Sequence, residues 1–171
     1  AFELGYDSPF DPSYPYKDAV EKGLDYIFRQ AAKVSIESPE PAGDPDTDGD
    51  GYGVYFGNWQ RTYDTGICMM AIAASRAPNR VVGIIGSAVD GWTYKDVLVD
   101  AVDHMAWAQA DPDCGLHRGG WRYGSDQCDS DNSNTGYAVL GLAYAQAPIF
   151  GFECQVPQFV KDELDIWIDV I

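Results

Sequence analysis

The sequence predicts an all-α protein: repeated helical hairpins laid out as a two-layered arc and joined by long loops rich in glycine and aspartate. Two observations point that way. The first is an alternation of helix types. Amphipathic segments at 17–34, 95–109 and 158–171 alternate with segments at 63–77 and 135–146 that are apolar on every side. A helix without a polar face has to be enclosed by other helices. The second is that like segments superpose without gaps. Val20, Leu24 and Asp25 fall on Val160, Leu164 and Asp165, with Leu98, Val102 and Asp103 in the same frame. Asp64-Thr65-Gly66-Ile67 falls on Asn134-Thr135-Gly136-Tyr137, and Met70 and Ile72 fall on Leu140 and Leu142. Self-similarity of this kind marks a repeat architecture, here about two and a half units over 17–171.

Taken in order, residues 1–16 set Pro9, Pro12 and Pro15 among Phe2, Tyr6, Phe10, Tyr14 and Tyr16. That proline density forbids a helix and predicts an extended arm lying against the body. The first helix follows from Val20, Leu24, Ile27, Phe28 and Ala31 at helical spacing, with Asp18 suited to its first turn. Residues 35–61 are expected to form a long polar loop. The second helix ends before Pro78, and the connector at 79–94 carries Val81–Ile85 as either a short strand or a buried turn. After the third helix come a glycine–aromatic turn, Gly119 to Gly124, and a polar segment, Asp129 to Asn134. Ser133 or Asn134 is the expected cap of the apolar helix that follows. The last helix runs uncapped to Ile171, where further repeats of a longer protein are expected.

Composition narrows the function classes. A chain of 171 residues with a 46% hydrophobic fraction is long enough to bury one core. A net charge of -16 and a pI near 4.1 disfavour electrostatic binding to nucleic acid or to an anionic membrane. No apolar run approaches the roughly 20 residues that span a bilayer. The acidity and the aromatic arm suit an exported or cell-surface protein. In that setting Cys114 and Cys128, which flank one loop, are expected to form a disulfide. Cys68 reads as a buried thiol, Cys154 as free or paired elsewhere, and His104 as a structural histidine.

The segments KGLDYIFRQ, DGDGYG followed by YDTGICMMAIAAS, and GGWRYG followed by SDNSNTGYAVLGLAYAQ resemble the αα-toroid repeat. That repeat occurs in terpenoid (squalene and hopene) cyclases, protein prenyltransferase β-subunits and their non-enzymatic surface relatives. The resemblance implies part of an α/α barrel. It also sets Asp129-Ser130-Asp131-Asn132 beside the cyclase DxDD acid, with Asp131 as the alternative catalytic proton donor and Asn132 departing from the pattern. The prenyltransferase zinc site would draw on Asp113, Cys114, His117 and Cys128, without compact CxxC pairs.

The sharpest local signal is Asp44-Pro45-Asp46-Thr47-Asp48-Gly49-Asp50-Gly51. Alternating carboxylates with a glycine to turn the chain are how a loop gathers oxygen ligands for Ca2+. Counted from Asp46, the spacing follows the first half of an EF-hand loop, but Gly57 stands at the twelfth position in place of the bidentate glutamate. Another acid, such as Asp64, is needed to complete the shell. A structural Ca2+ at Asp44, Asp46, Asp48 and Asp50 and a merely solvated acidic loop both remain open. Trp59, Tyr63, Trp121 and Tyr123 recur at equivalent loops and are candidate ligand-binding residues for a polysaccharide, peptide or lipid.

Three functions follow: an exported helical-repeat module with a binding or structural role, part of a larger protein; a terpenoid-cyclase- or prenyltransferase-like enzyme; and a hydrolase or lyase on an extracellular polymer using Asp129 and Asp131. The first is favoured, because no catalytic motif is complete.

Overall fold

The computed structural model describes residues 1–36, 39–125 and 127–170. Among these residues the chain forms five α-helices: α1 (Lys17–Arg29), α2 (Arg61–Ala74), α3 (Tyr94–Trp107), α4 (Asn132–Gln146) and α5 (Gln158–Val170). It also forms a two-stranded antiparallel sheet of β1 (Ala31–Ser35) and β2 (Tyr52–Phe56). The fold is therefore a small mixed α/β one, which overturns the expectation of an all-α, toroid-type arc of repeated hairpins. Ile171, the expected end of the last helix, lies outside the described residues.

The departure begins at Gln30. Its N–H turns back to the carbonyls of Ile27 and Phe28 and closes α1 five residues before the expected limit at Val34. Chain 31–35 then pairs with 56–52, in the register Ala31 opposite Phe56 through Ser35 opposite Tyr52. The Ile36 N–H to Gly51 carbonyl bond, 3.2 Å, adds one more link. Tyr52, Val54, Tyr55 and Phe56 are good strand formers. In the sequence, their glycine and aspartate neighbours make them read as loop. Period-2 alternation sends Val54 and Phe56 into the core, while Gly53 and Tyr55 meet His104 of α3. The Asp-rich stretch is thus the connection of a β-hairpin.

The layer roles of the helices also differ from those expected. The third helix, read as half-buried, is the most enclosed: Val97, Leu98 and every residue from Asp100 to Ala106 are buried. Helices α2 and α4, read as fully enclosed, leave Ile67 and Leu140 38% and 45% exposed. A period count sees only which positions are polar. In α3 the polar Asp100, Asp103 and His104 themselves point inward.

Helix α2 packs most extensively against α4, at a crossing of glycines. A Cβ on Gly141 would sit 2.9 Å from the Gly66 Cα, and one on Gly66 would collide with the Tyr137 carbonyl. Gly136, which the sequence superposes on Gly66, has open space around it instead. One residue earlier the two helices make a similar bond. Thr65 Oγ1 accepts the Phe56 N–H at 2.9 Å, and Thr135 Oγ1 accepts the Trp121 N–H at 3.0 Å. Both aromatic rings are fully buried.

Elsewhere the chain completes the shell. The arm folds back, with Phe10 edge-on to Tyr94 and beneath the Arg80 guanidinium. The 79–94 connector is held by a single bridge between Val81 and Thr93 and buries Val82, Ile84 and Val89. Helix α5 lays Val160, Glu163 and Trp167 inward. No helix among the described residues is long and apolar enough to cross a membrane.

Candidate metal centre

The hairpin connection and the buried helix meet at carboxylates. On α3, Asp100 and Asp103 stand three residues apart on one face. That face lies under the hairpin because Gly53 lets β2 approach closely: a Cβ there would be 3.0 Å from the His104 Cα. Above it, Asp46, Asp48 and Asp50 bring one carboxylate oxygen each within 4.8 Å of one another, and Asp48 does the same with Asp100 and Asp103. Asp48 therefore belongs to both groups.

The loop's own bonds preshape it. Asp46 accepts the N–H groups of Gly49 (2.7 Å) and Gly51 (3.0 Å) on its two oxygens. Gly51 adopts φ 79 at the sixth position, where calcium loops make their sharp turn. Asp48 and Asp50 accept the N–H groups of Asp50 and Tyr52. Thr47 Oγ1 donates to Asp103 at 2.7 Å and ties loop to helix.

The electrostatics are uncompensated. Asp100 is 2% exposed and Asp103 fully buried, and the second oxygen of each has no hydrogen-bond partner. Burial foremost, then the charges of Asp50, Asp48 and Asp103, push the Asp100 carboxyl up to about 8. Burial also dominates at Asp103, pushing it up to about 7 against the bonds from Thr47, with Asp48 and Asp46 adding to the rise. Asp48 is raised as well, by burial first and then by its neighbours' charges. Lys33 is the one positive charge that relieves Asp100. An orphaned buried carboxylate oxygen costs on the order of 1–3 kcal/mol, more when charged. Two of them facing an acidic loop are what a divalent cation satisfies. The donor set is all oxygen, which suits Ca2+.

The expected residues divide as follows. Asp46, Asp48 and Asp50 converge. Asp44 lies before them, with its Oδ1 accepting the Asp46 N–H. Asp64, the suggested completing ligand, is instead on α2 against Gly57, in a separate cleft. The acids that converge with Asp48 are instead Asp100 and Asp103, neither of which the sequence reading singled out as a ligand. Their i, i+3 spacing with His104 beside them was the available signal.

The second acidic corner is built differently. Asp131 is the N-cap of α4, accepting the Asn134 N–H at 2.8 Å and the Asn134 side-chain amide at 2.7 Å. Arg122 pairs with both Asp131 and Asp129. Burial works to raise the Asp131 carboxyl, but the Asn134 bonds and the Arg122 guanidinium hold it below its ordinary value. That is the opposite of what a proton donor to an alkene requires. His117, Ser130 and Asp129 form a cluster, yet Ser130 Oγ (3.1 Å) and Asp129 (3.5 Å) both approach Nδ1, which also accepts the Ser130 N–H. A nucleophile relay needs its acid and its hydroxyl on opposite ring nitrogens. Cys114 and Cys128 are disulfide-bonded with Cα atoms 4.8 Å apart, which leaves no thiolate for the zinc set. Gly119, at φ 81, packs on the Glu163 backbone so closely that a side chain would collide, and Arg118 reaches the Glu163 carboxylate at 2.7 Å.

The aromatic candidates scatter. Trp121 is fully buried, with its Nε1–H donating to the Met105 carbonyl at 2.8 Å, so it belongs to the core and is closed to a ligand. Tyr63 packs edge-on against Tyr137, Tyr123 lies under Arg122, and Trp59 is 90% exposed.

Comparison with protein-family models, with curated proteins and with solved structures gives no match for this chain.

Proposed function

We propose that this chain is a calcium-binding, non-catalytic module of an exported or surface protein, in which the cation ties the hairpin loop to the buried helix. One observation carries the reading: Asp48 converges with Asp100 and Asp103, whose inner oxygens are buried without partners. Asp46, Asp48 and Asp50 from the loop, with Asp100 and Asp103 from α3, are the residues that would hold the ion, which supplies positive charge where five carboxylates otherwise repel. The role is structural first, because the ligands sit at a packing junction and Thr47 already bridges the same two elements. A disulfide and the absence of a membrane-length helix among the described residues are compatible with an extracellular setting. The non-catalytic reading is supported by the engagement of Asp131 and Asp129 with Arg122 and the helix cap.

Isothermal titration of Ca2+ into chelator-treated protein is the test. Saturable 1:1 binding is expected for the parent chain and loss of binding for the Asp100→Asn/Asp103→Asn double variant. No heat and no change in melting temperature at millimolar Ca2+ would remove the ion, and with it the proposed role.

A further inference from the structure

A cleft of about 340 Å³ opens between the last turns of α1 and the first turns of α2, at the end of the hairpin opposite the aspartate loop. Its size is that of a small-ligand site. Ile27, Phe56 and Ile67 give it an apolar floor, and Tyr26, Gln30 and Asp64 supply its polar groups. Among the described residues Asp64 is the only charged side chain lining it. No hydrogen bond or ion pair reaches that carboxylate among the described residues, and burial raises its carboxyl. The Asp64 side chain is seated over Gly57, where φ 83 and the lack of a Cβ leave room for it. The C-terminal end of α1 adds partial negative charge to the same space, while the N-terminal turn of α2, where Asp64 sits, offsets part of it. Arg29, in that turn, does not line the cleft. Trp59, 90% exposed, directly follows Asn58 in the wall.

An anion is repelled here, and a neutral or purely apolar guest leaves a half-desolvated carboxylate uncompensated. A cation with an apolar body answers these features: charge at Asp64, aliphatic contact with the floor, and an aromatic ring at Tyr26 for cation–π attraction. The chain's net charge of -16 draws positively charged partners in general. We propose that this cleft binds a primary ammonium group on a short apolar stem, as a lysine side chain of a basic partner presents it. The site is independent of the calcium reading and shares no residue with it.

The experiment is an amide NMR titration with n-pentylammonium chloride, at ionic strength matched with NaCl, alongside 1-pentanol as the uncharged counterpart. Saturable shifts confined to 26–30 and 56–68 are expected, with a Kd on the order of 1 mM. Pentanol should bind about tenfold more weakly, and Asp64→Asn should lose about tenfold for the amine. Asp162→Asn, an exposed acid on α5, should bind as the parent does. Ile67→Lys places an ammonium in the cleft from within and should abolish binding with Asp64 intact, which decides the matter if Asp64→Asn folds poorly. Equal affinity for pentanol, parent-like binding by either cleft variant, or unsaturable shifts spread over all acidic surfaces each overturns the proposal.

Discussion

Two clusters of aspartate in this molecule have opposite electrostatic solutions. At the entrance to α4, Asp129 and Asp131 are paired with Arg122, and Asp131 caps a helix. Both of these carboxylates have a protein partner. Between the hairpin loop and α3, Asp48, Asp100 and Asp103 face one another, Lys33 relieves Asp100, and two buried oxygens have no hydrogen-bond partner among the described residues. The same residue type is finished structure in one place and an unfilled requirement in the other. The difference lies in partners and burial, not in the number of acids, and it is why the second corner and not the first is the candidate site.

Four perturbations break or sharpen that contrast. Among the substitutions the largest effect should come from Cys128→Ser, which frees a bridge of sequence separation 14 beside the compensated corner. Loop-closure entropy puts the loss near 3 kcal/mol, readable as a drop in urea midpoint at unchanged slope. Next is the cation. At a Ca2+ concentration about 100 times its Kd, the chain should gain roughly 2.7 kcal/mol, seen as a rise in melting temperature that EGTA reverses. The Asp100→Asn/Asp103→Asn variant should show no such rise, and a persistent rise would move the ion elsewhere. Third, Asp131→Ala removes a cap and should cost about 1 kcal/mol by denaturant titration, independently of Ca2+.

The most diagnostic perturbation is pH without the metal. Asp100 and Asp103 are raised in the folded state, to about 8 and about 7 from 3.8. Below their unfolded values they are protonated in both states and cost nothing. As pH rises through that range the unfolded chain ionises first, so stability falls until the folded groups ionise near 7 to 8. Asp131, being lowered, has the reverse sign: its contribution is present above the unfolded value and lost as pH falls through its folded one. Chelated protein should therefore lose stability between about pH 4 and 8, and Ca2+ should flatten that decline. A flat profile without Ca2+ would mean that the two α3 carboxylates are not desolvated.

How much of this was legible in the sequence depends on what kind of signal each element gave. The helices were readable where apolar spacing was regular, as in α1 and α5. The hairpin was not, because Tyr52, Val54 and Phe56 sit in a glycine- and aspartate-rich stretch whose composition outweighs their strand preference until β1 pairs with them. The loop half of the candidate metal centre, Asp46, Asp48 and Asp50, stood out by its spacing. Its other half did not, since Asp100 and Asp103 look like the polar face of a surface helix and only the tertiary fold turns that face inward. The repeat architecture did not hold: of the superposed positions Thr65 and Thr135 do the same job, but Gly66 and Gly136 do not.

The matched threonines have a consequence for engineering. Each holds the backbone of a buried aromatic residue by one hydroxyl, and the sequence separation of ring and threonine is nine at one corner and fourteen at the other. The anchor thus tolerates a five-residue difference in what it carries. The two corners act as sockets of common gauge. A foreign loop inserted between Phe56 and Thr65 at the longer spacing should be accepted without moving the helix it leads into, which makes this corner the natural place to graft a recognition loop.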